Sequence, residues 1–296
     1  MGDRVLRVRR LIGIGLAGSA MVAAVSLIPA LPAAAAPLGG AGGNGTYLAL
    51  GDSVAFGFVP SNAVPAPNYF DPSSFVGYPE DVAQALHIPV ANASCPGETT
   101  ASFYIPGAQS NGCENSPGSS VGYRTEFPLH VQYAGTQMLY ALGYLVTHRN
   151  TRLVTINIGA NDTFLCQETT ADACTSPAEL QALLKKIQVN LAIIYTLIRD
   201  VARYHGPLVA LTYYSLSYSD PTQVAGTEAL NSAIASVTEK FGGKVADGFA
   251  AFEGPSLAAG GTPCAAGLLI KVPGGCNIHP SPAGHELLAQ AIEDVI

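Results

Sequence analysis

Charge is scarce in this 296-residue chain: only 12% of its residues are Asp, Glu, Lys or Arg. That is about half the level of roughly 25% usual for soluble domains. Hydrophobic residues make up 48%, and the mean hydropathy is +0.29. A disordered polymer and a charged coiled coil are both excluded by this balance. Basic residues are the scarcer sign, 14 Lys and Arg against 21 Asp and Glu, for a net charge of −7. A basic nucleic-acid-binding surface is therefore not expected. The chain has no G-x-x-x-x-G-K-[ST] and no G-x-G-x-x-G behind a strand, so no phosphate-cradling loop is read. There is no C-x-x-C either. Cys276-x-x-His279 is at most half a zinc site, and no metal or other cofactor is expected. Internal repeats are absent. Beyond residue 36 no apolar run is long enough to span a bilayer.

What the first 36 residues do contain is organised. Arg4, Arg7, Arg9 and Arg10 precede an apolar run from Leu11 to about Ile28, followed by Pro29, Pro32 and four alanines ending at Ala36. A basic region, an apolar region and a small-residue stretch are the parts of a secretory signal peptide. Cleavage there leaves 10 basic and 20 acidic residues, a charge of −10. The alternative is an uncleaved anchor, since the run nearly reaches the ~20 residues of a membrane span. The first cysteine is Cys95, so a lipidated cysteine behind the leader is not expected. Residues 37–45 are Gly-rich and read as a linker. The expected product is secreted, with no stable membrane span after cleavage.

Six cysteines in an exported chain imply disulfides. Their order suggests three local pairs: Cys95–Cys113, Cys166–Cys174 and Cys264–Cys276. Each closes a loop of about 10–20 residues, worth roughly 3 kcal/mol in the chain-entropy picture.

From residue 46 onward, short apolar runs alternate with helical patterns, which predicts one three-layer α/β domain over 46–296. Strands are predicted at 47–50, 89–92, 153–158, 208–211 and 244–246. Helices are predicted at 78–86, 130–147, 228–241 and 282–296. Ser176-Pro-Ala-Glu179 reads as a capping box with Pro at the first helical position. Behind it Leu180, Leu183, Leu184, Ile187, Leu191, Ile194, Ile198 and Val201 keep helical spacing. Residues 97–128 read as a long loop, with 98–128 a candidate lid. In such sheets reactive groups collect at the carboxyl ends of the strands.

Four segments fall behind predicted strands or in nearby loops: Gly51-Asp52-Ser53-Val-Ala-Phe-Gly57, Ser94-Cys95-Pro96-Gly97-Glu98-Thr99, Gly159-Ala160-Asn161-Asp162 and His279-Pro280-Ser281-Pro282-Ala283-Gly284-His285. In this order they resemble the SGNH (GDSL) hydrolase family, over nearly all of residues 47–296. The resemblance implies a flavodoxin-like α/β/α sandwich around a mostly parallel five-stranded sheet. It implies a secreted serine carboxylic-ester hydrolase, an esterase or lipase working through an acyl-enzyme. It assigns Ser53 as nucleophile and His279 as base. The oxyanion hole it implies is the Ser53 N–H, the Gly97 N–H and the Asn161 side-chain amide. Residue chemistry agrees: a glycine lets backbone approach substrate closely, and an asparagine offers a neutral NH₂ donor. Asp52, Asp162 and His285 read as structural.

One position departs from the family pattern. An Asp three residues before the base usually orients it; here that residue is Cys276. Asn277 is adjacent but is not a carboxylate. The expectation is a Ser–His dyad with His279 Nδ1–H on a main-chain carbonyl, with Asp247 or Glu253 as alternative acids.

Phe56, Phe58, Phe103, Tyr104, Phe164 and Leu165 flank the motifs and are candidates for an acyl pocket. The expected partner is a small-molecule or lipid ester, and the expected state a monomer. Two alternatives stay open: a carbohydrate acetyl esterase of the same fold, and a non-catalytic cell-wall or carbohydrate-binding module.

Overall fold

Five short segments carry the central sheet of the computed structural model, which describes residues 45–296. The expected leader, and the expected linker as far as residue 44, lie outside the described residues. The strands are β1 (Thr46–Gly51), β2 (Val90–Asn92), β3 (Thr151–Asn157), β4 (Leu208–Leu211) and β5 (Lys244–Ala246). They are all parallel, in the order β2-β1-β3-β4-β5. This is the order of flavodoxin-like doubly wound sheets. Every residue of β4, and every residue of β1 after Thr46, is buried. Such unbroken burial marks strands covered on both faces.

The connecting helices are α1 (Ser53–Phe56), α2 (Tyr78–Leu86), α3 (Tyr123–Glu126), α4 (Gln137–Thr147), α5 (Ala160–Thr169), α6 (Pro177–Thr196), α7 (Pro221–Lys240), α8 (Gly248–Ala258) and α9 (Pro282–Glu293). Helix α9 packs on α2 and on α8 and lies against β4 and β5; α6 packs on α7, and α7 and α4 lie against the sheet. An antiparallel hairpin, β6 (Leu269–Val272) and β7 (Gly275–Pro280), precedes α9.

Departures from the sequence reading have local causes. The helix expected from residue 130 begins only at Gln137. Gly135 has φ 73°, and Thr136 caps the helix by accepting the Leu139 N–H. The helix expected from residue 228 starts at Pro221, because Asp220 accepts the N–H groups of Thr222 and Gln223. At Ser176 only half of the capping box forms. Ser176 Oγ accepts the Glu179 N–H at 3.3 Å, but the Ser176 N–H goes to Asp172 instead. The apolar stripe buries Leu183, Ile187, Leu191, Ile194 and Ile198, then loosens into a π turn at Leu197–Val201, leaving Val201 58% exposed. Helix α3 lies inside the loop expected over 97–128, and α1, α5, α8 and the hairpin are further elements that the sequence pattern does not mark.

All three expected disulfides are present: Cys95–Cys113, Cys166–Cys174 and Cys264–Cys276. The first lies in a small second core with Phe56, Phe75, Tyr123 and Leu129, beneath the long loops. Among the described residues no helix is long and apolar enough to cross a membrane.

Candidate functional site

The parallel register places Gly51, the last residue of β1, beside Asn157, the last of β3. At Gly51 φ is 143°, and a Cβ there would meet the Asn157 carbonyl oxygen at 2.3 Å. Only glycine lets the two strand ends approach so closely. The chain then turns at once. Asp52 caps α1, accepting the Val54 N–H at 3.0 Å, and Tyr213 donates its hydroxyl to the same carboxyl at 2.5 Å. Ser53 is thus the first residue of a single helical turn, which Gly57 ends in the left-handed region at φ 73°.

The hairpin brings His279 to it. His279 Nε2 lies 2.9 Å from Ser53 Oγ, across 226 residues of sequence. The loop expected around His279 is instead the bulged strand β7. Its Nδ1 lies 2.5 Å from Asn277 Oδ1. The expected main-chain carbonyl is therefore not the partner: a side-chain amide oxygen takes that place. Among the described residues no carboxylate is hydrogen-bonded to the ring; Asp247 instead caps α8 through the Ala250 N–H. The tautomer follows from a second bond. The His279 backbone N–H, which can only donate, points to the same Asn277 atom at 3.2 Å. That atom is therefore the oxygen, the ring proton sits on Nδ1, and Nε2 offers a lone pair to Ser53. Burial pushes the His279 pKa down to about 4, so the ring is neutral at ordinary pH.

Gly97 and Asn161 are linked through Asn111, which the sequence reading missed. Asn111 donates its backbone N–H to the Gly97 carbonyl at 2.7 Å and its side-chain NH₂ to Asn161 Oδ1 at 3.3 Å. Because the amide oxygen of Asn161 is engaged, its NH₂ remains the donor. Gly97 has φ 82°, and a Cβ there would meet the Asn111 carbonyl oxygen at 2.4 Å. The 94–99 segment is tied to β1 as well, since Cys95 N–H donates to the Gly51 carbonyl.

Three buried carboxyls adjoin these residues in sequence. Asp52 precedes Ser53, Glu98 follows Gly97 and Asp162 follows Asn161. Asp162 accepts from the Thr100 N–H and hydroxyl at 2.8 and 2.6 Å. Glu98 accepts from Ser102 Oγ and from Gln137, whose amide also brackets Gly51 on both its N–H and its carbonyl. Burial raises all three pKa values, to about 7 for Asp52 and Glu98. A carboxyl raised on folding binds its proton more tightly in the folded state. Its contribution to stability is full below the unfolded value near 4.5 and is lost as pH rises through about 7. Glu98→Gln, which keeps a neutral side chain, is expected to flatten the fall in melting temperature between pH 4.5 and 7.5. An unchanged slope would show that Glu98 is not a source of it.

Phe58 stacks obliquely on the His279 ring, centroids 4.9 Å apart. Phe56 and Phe103 are fully buried and belong to the core, which corrects their reading as pocket walls. Tyr104 is half-buried with its hydroxyl on Asn190, and Phe164 is half-buried on α5. Buried His285 accepts the Tyr78 N–H on its Nδ1 and serves α9 packing. Cys276 is bonded to Cys264, so it has no thiolate to offer a metal.

The sequence profile of the GDSL-like lipase/acylhydrolase family matches residues 49–287. The chain belongs to that family. No curated protein matches the chain. Solved structures resemble it in fold. Phospholipase A1 from Streptomyces albidoflavus is 21% identical with a TM-score of 0.53, covering 85% of this chain and 99% of that one. The lipase Lip_vut3 from a goat rumen metagenome is 15% identical with a TM-score of 0.53, covering 84% and 96%. An acetylxylan esterase from Geobacillus stearothermophilus is 18% identical with a TM-score of 0.50, covering 85% and 93%. Membership in this hydrolase family supports ester hydrolysis, and the three disulfides are consistent with an extracellular protein.

Proposed function

We propose that the protein is an exported serine ester hydrolase acting through an acyl-enzyme on Ser53. The observation that carries this reading is the 2.9 Å contact between Ser53 Oγ and a His279 Nε2 whose lone pair faces it. In the first half-reaction Ser53 Oγ attacks the ester carbonyl as His279 Nε2 takes its proton. The carbonyl oxygen becomes an oxyanion, held by the N–H groups of Ser53 and Gly97 and the Asn161 NH₂. The oxyanion collapses, the alcohol leaves with the proton from Nε2, and Ser53 carries the acyl group. Water then repeats the sequence, its proton going to Nε2 and returning to Ser53 Oγ as the acid departs.

Phe58 on the base and the low charge of the chain favour apolar acyl groups over acidic substrates. The discriminating assay compares kcat/KM for p-nitrophenyl acetate and octanoate. Hydrolysis of both is expected, with the longer chain preferred. Strong preference for acetate would favour the acetyl-esterase reading. No turnover of any ester by the folded chain would favour a binding module.

A further inference from the structure

We propose that Asn277 is the positioning residue of the site, its side-chain oxygen doing for His279 what a triad carboxylate does elsewhere; this rests on the Ser53–His279 reading above.

The local backbone explains how a residue only two positions away can do this. Lys271 pairs with Cys276 and Leu269 with Pro280, so β6 advances two residues while β7 advances four. Asn277, Ile278 and His279 form a bulge there. Bulges release backbone groups from the ladder and re-aim side chains. The released N–H of His279 is taken by Asn277 Oδ1 at 3.2 Å, closing an Asx-type turn. That turn sets the same oxygen 2.5 Å from Nδ1 of the ring. One atom therefore fixes both the backbone and the imidazole of the same residue. Two flanking ties hold the bulge: Cys276 is bonded to Cys264, and the Tyr214 hydroxyl donates to the Ile278 carbonyl at 2.7 Å. The position three before His279 is Cys276, which has no carboxylate to offer the ring.

Asn277 differs from an acid in one respect: it selects the tautomer but adds no negative charge. The ionisable groups on the elements packed against β7 are Lys271 on β6, Asp52 at the cap of α1, and His285, Glu286 and Glu293 on α9. None of them is hydrogen-bonded to the His279 ring. Burial lowers the ring pKa, and His285 also interacts with the ring through its charge. A neutral orienting group leaves the base unprotonated, and usable, well into the acid range.

The test is a kinetic series on the full chain with one p-nitrophenyl ester from pH 3.5 to 9, using Asn277→Ala, Asn277→Asp, Ser53→Ala and His279→Ala. Asn277→Ala is expected to lower kcat about 10- to 100-fold with KM little changed, as for loss of an orienting partner. Asn277→Asp keeps the acceptor and adds a charge beside Nδ1. It is expected to retain activity near neutral pH while its acid limb of kcat/KM moves up by about 1–3 pH units. A merely structural role would not move that limb. Wild-type kcat in Asn277→Ala, or an unmoved limb in Asn277→Asp, with Ser53→Ala and His279→Ala both inactive, overturns the role of Asn277 alone. Activity in Ser53→Ala or His279→Ala overturns the dyad itself, and the inference with it. Should Asn277→Ala fail to fold, the limb of Asn277→Asp decides.

Discussion

Ser53→Ala is expected to lower kcat for ester hydrolysis by on the order of 10⁵- to 10⁶-fold while the fold persists. The substitution removes one hydroxyl, whose partner is His279 Nε2 at 2.9 Å. Nothing that shapes the turn is lost with it. Asp52 still caps α1 through the Val54 N–H, Tyr213 still holds Asp52, and Gly51 still meets β3. His279→Ala is expected to be comparably severe, and the double variant no worse than either single one. Nucleophile and base act as a unit, so their losses do not add. Steady-state kinetics beside thermal melts checks this. Near-wild-type turnover in a well-folded Ser53→Ala protein would refute the assignment.

The second large effect is expected at Asn161. Asn161→Ala should lower kcat by roughly 10²- to 10³-fold and change KM little. The NH₂ is needed where negative charge develops, and in the ground state the ester oxygen carries little. Asn111 turns the amide so that its NH₂ is the free end. Asn161→Asp is expected to be worse than alanine, because an ionised carboxylate facing the oxyanion repels it. A pure KM effect in Asn161→Ala would show that the side chain binds substrate and does not stabilise the transition state.

Much of this site was legible because it rests on local chemistry behind strands. Gly51-Asp52-Ser53 and Gly159-Ala-Asn161 each follow a β-rich run, and parallel strands deliver such turns to one edge. The disulfides were readable because each pair is close in sequence. What escaped depends on long-range or irregular geometry. Asn111 sits in a loop without periodicity, and its link to Asn161 spans 50 residues of sequence. Gln137 lies within the helix expected over 130–147, and nothing in the sequence marks it as the buried residue that brackets Gly51. Phe56 looked like a pocket wall, since proximity to a motif in sequence says nothing about which way a ring points. Asn277 carries no charge to mark it in the sequence, and the bulge that brings its oxygen to the His279 ring leaves no periodic trace.

The most direct measurement is covalent labelling of the folded protein with a fluorophosphonate, followed by peptide mass mapping. One adduct is expected, on the peptide containing Ser53, absent from Ser53→Ala and slowed strongly in His279→Ala. A stable adduct on another residue, or none on an active preparation, would contradict the Ser53 assignment.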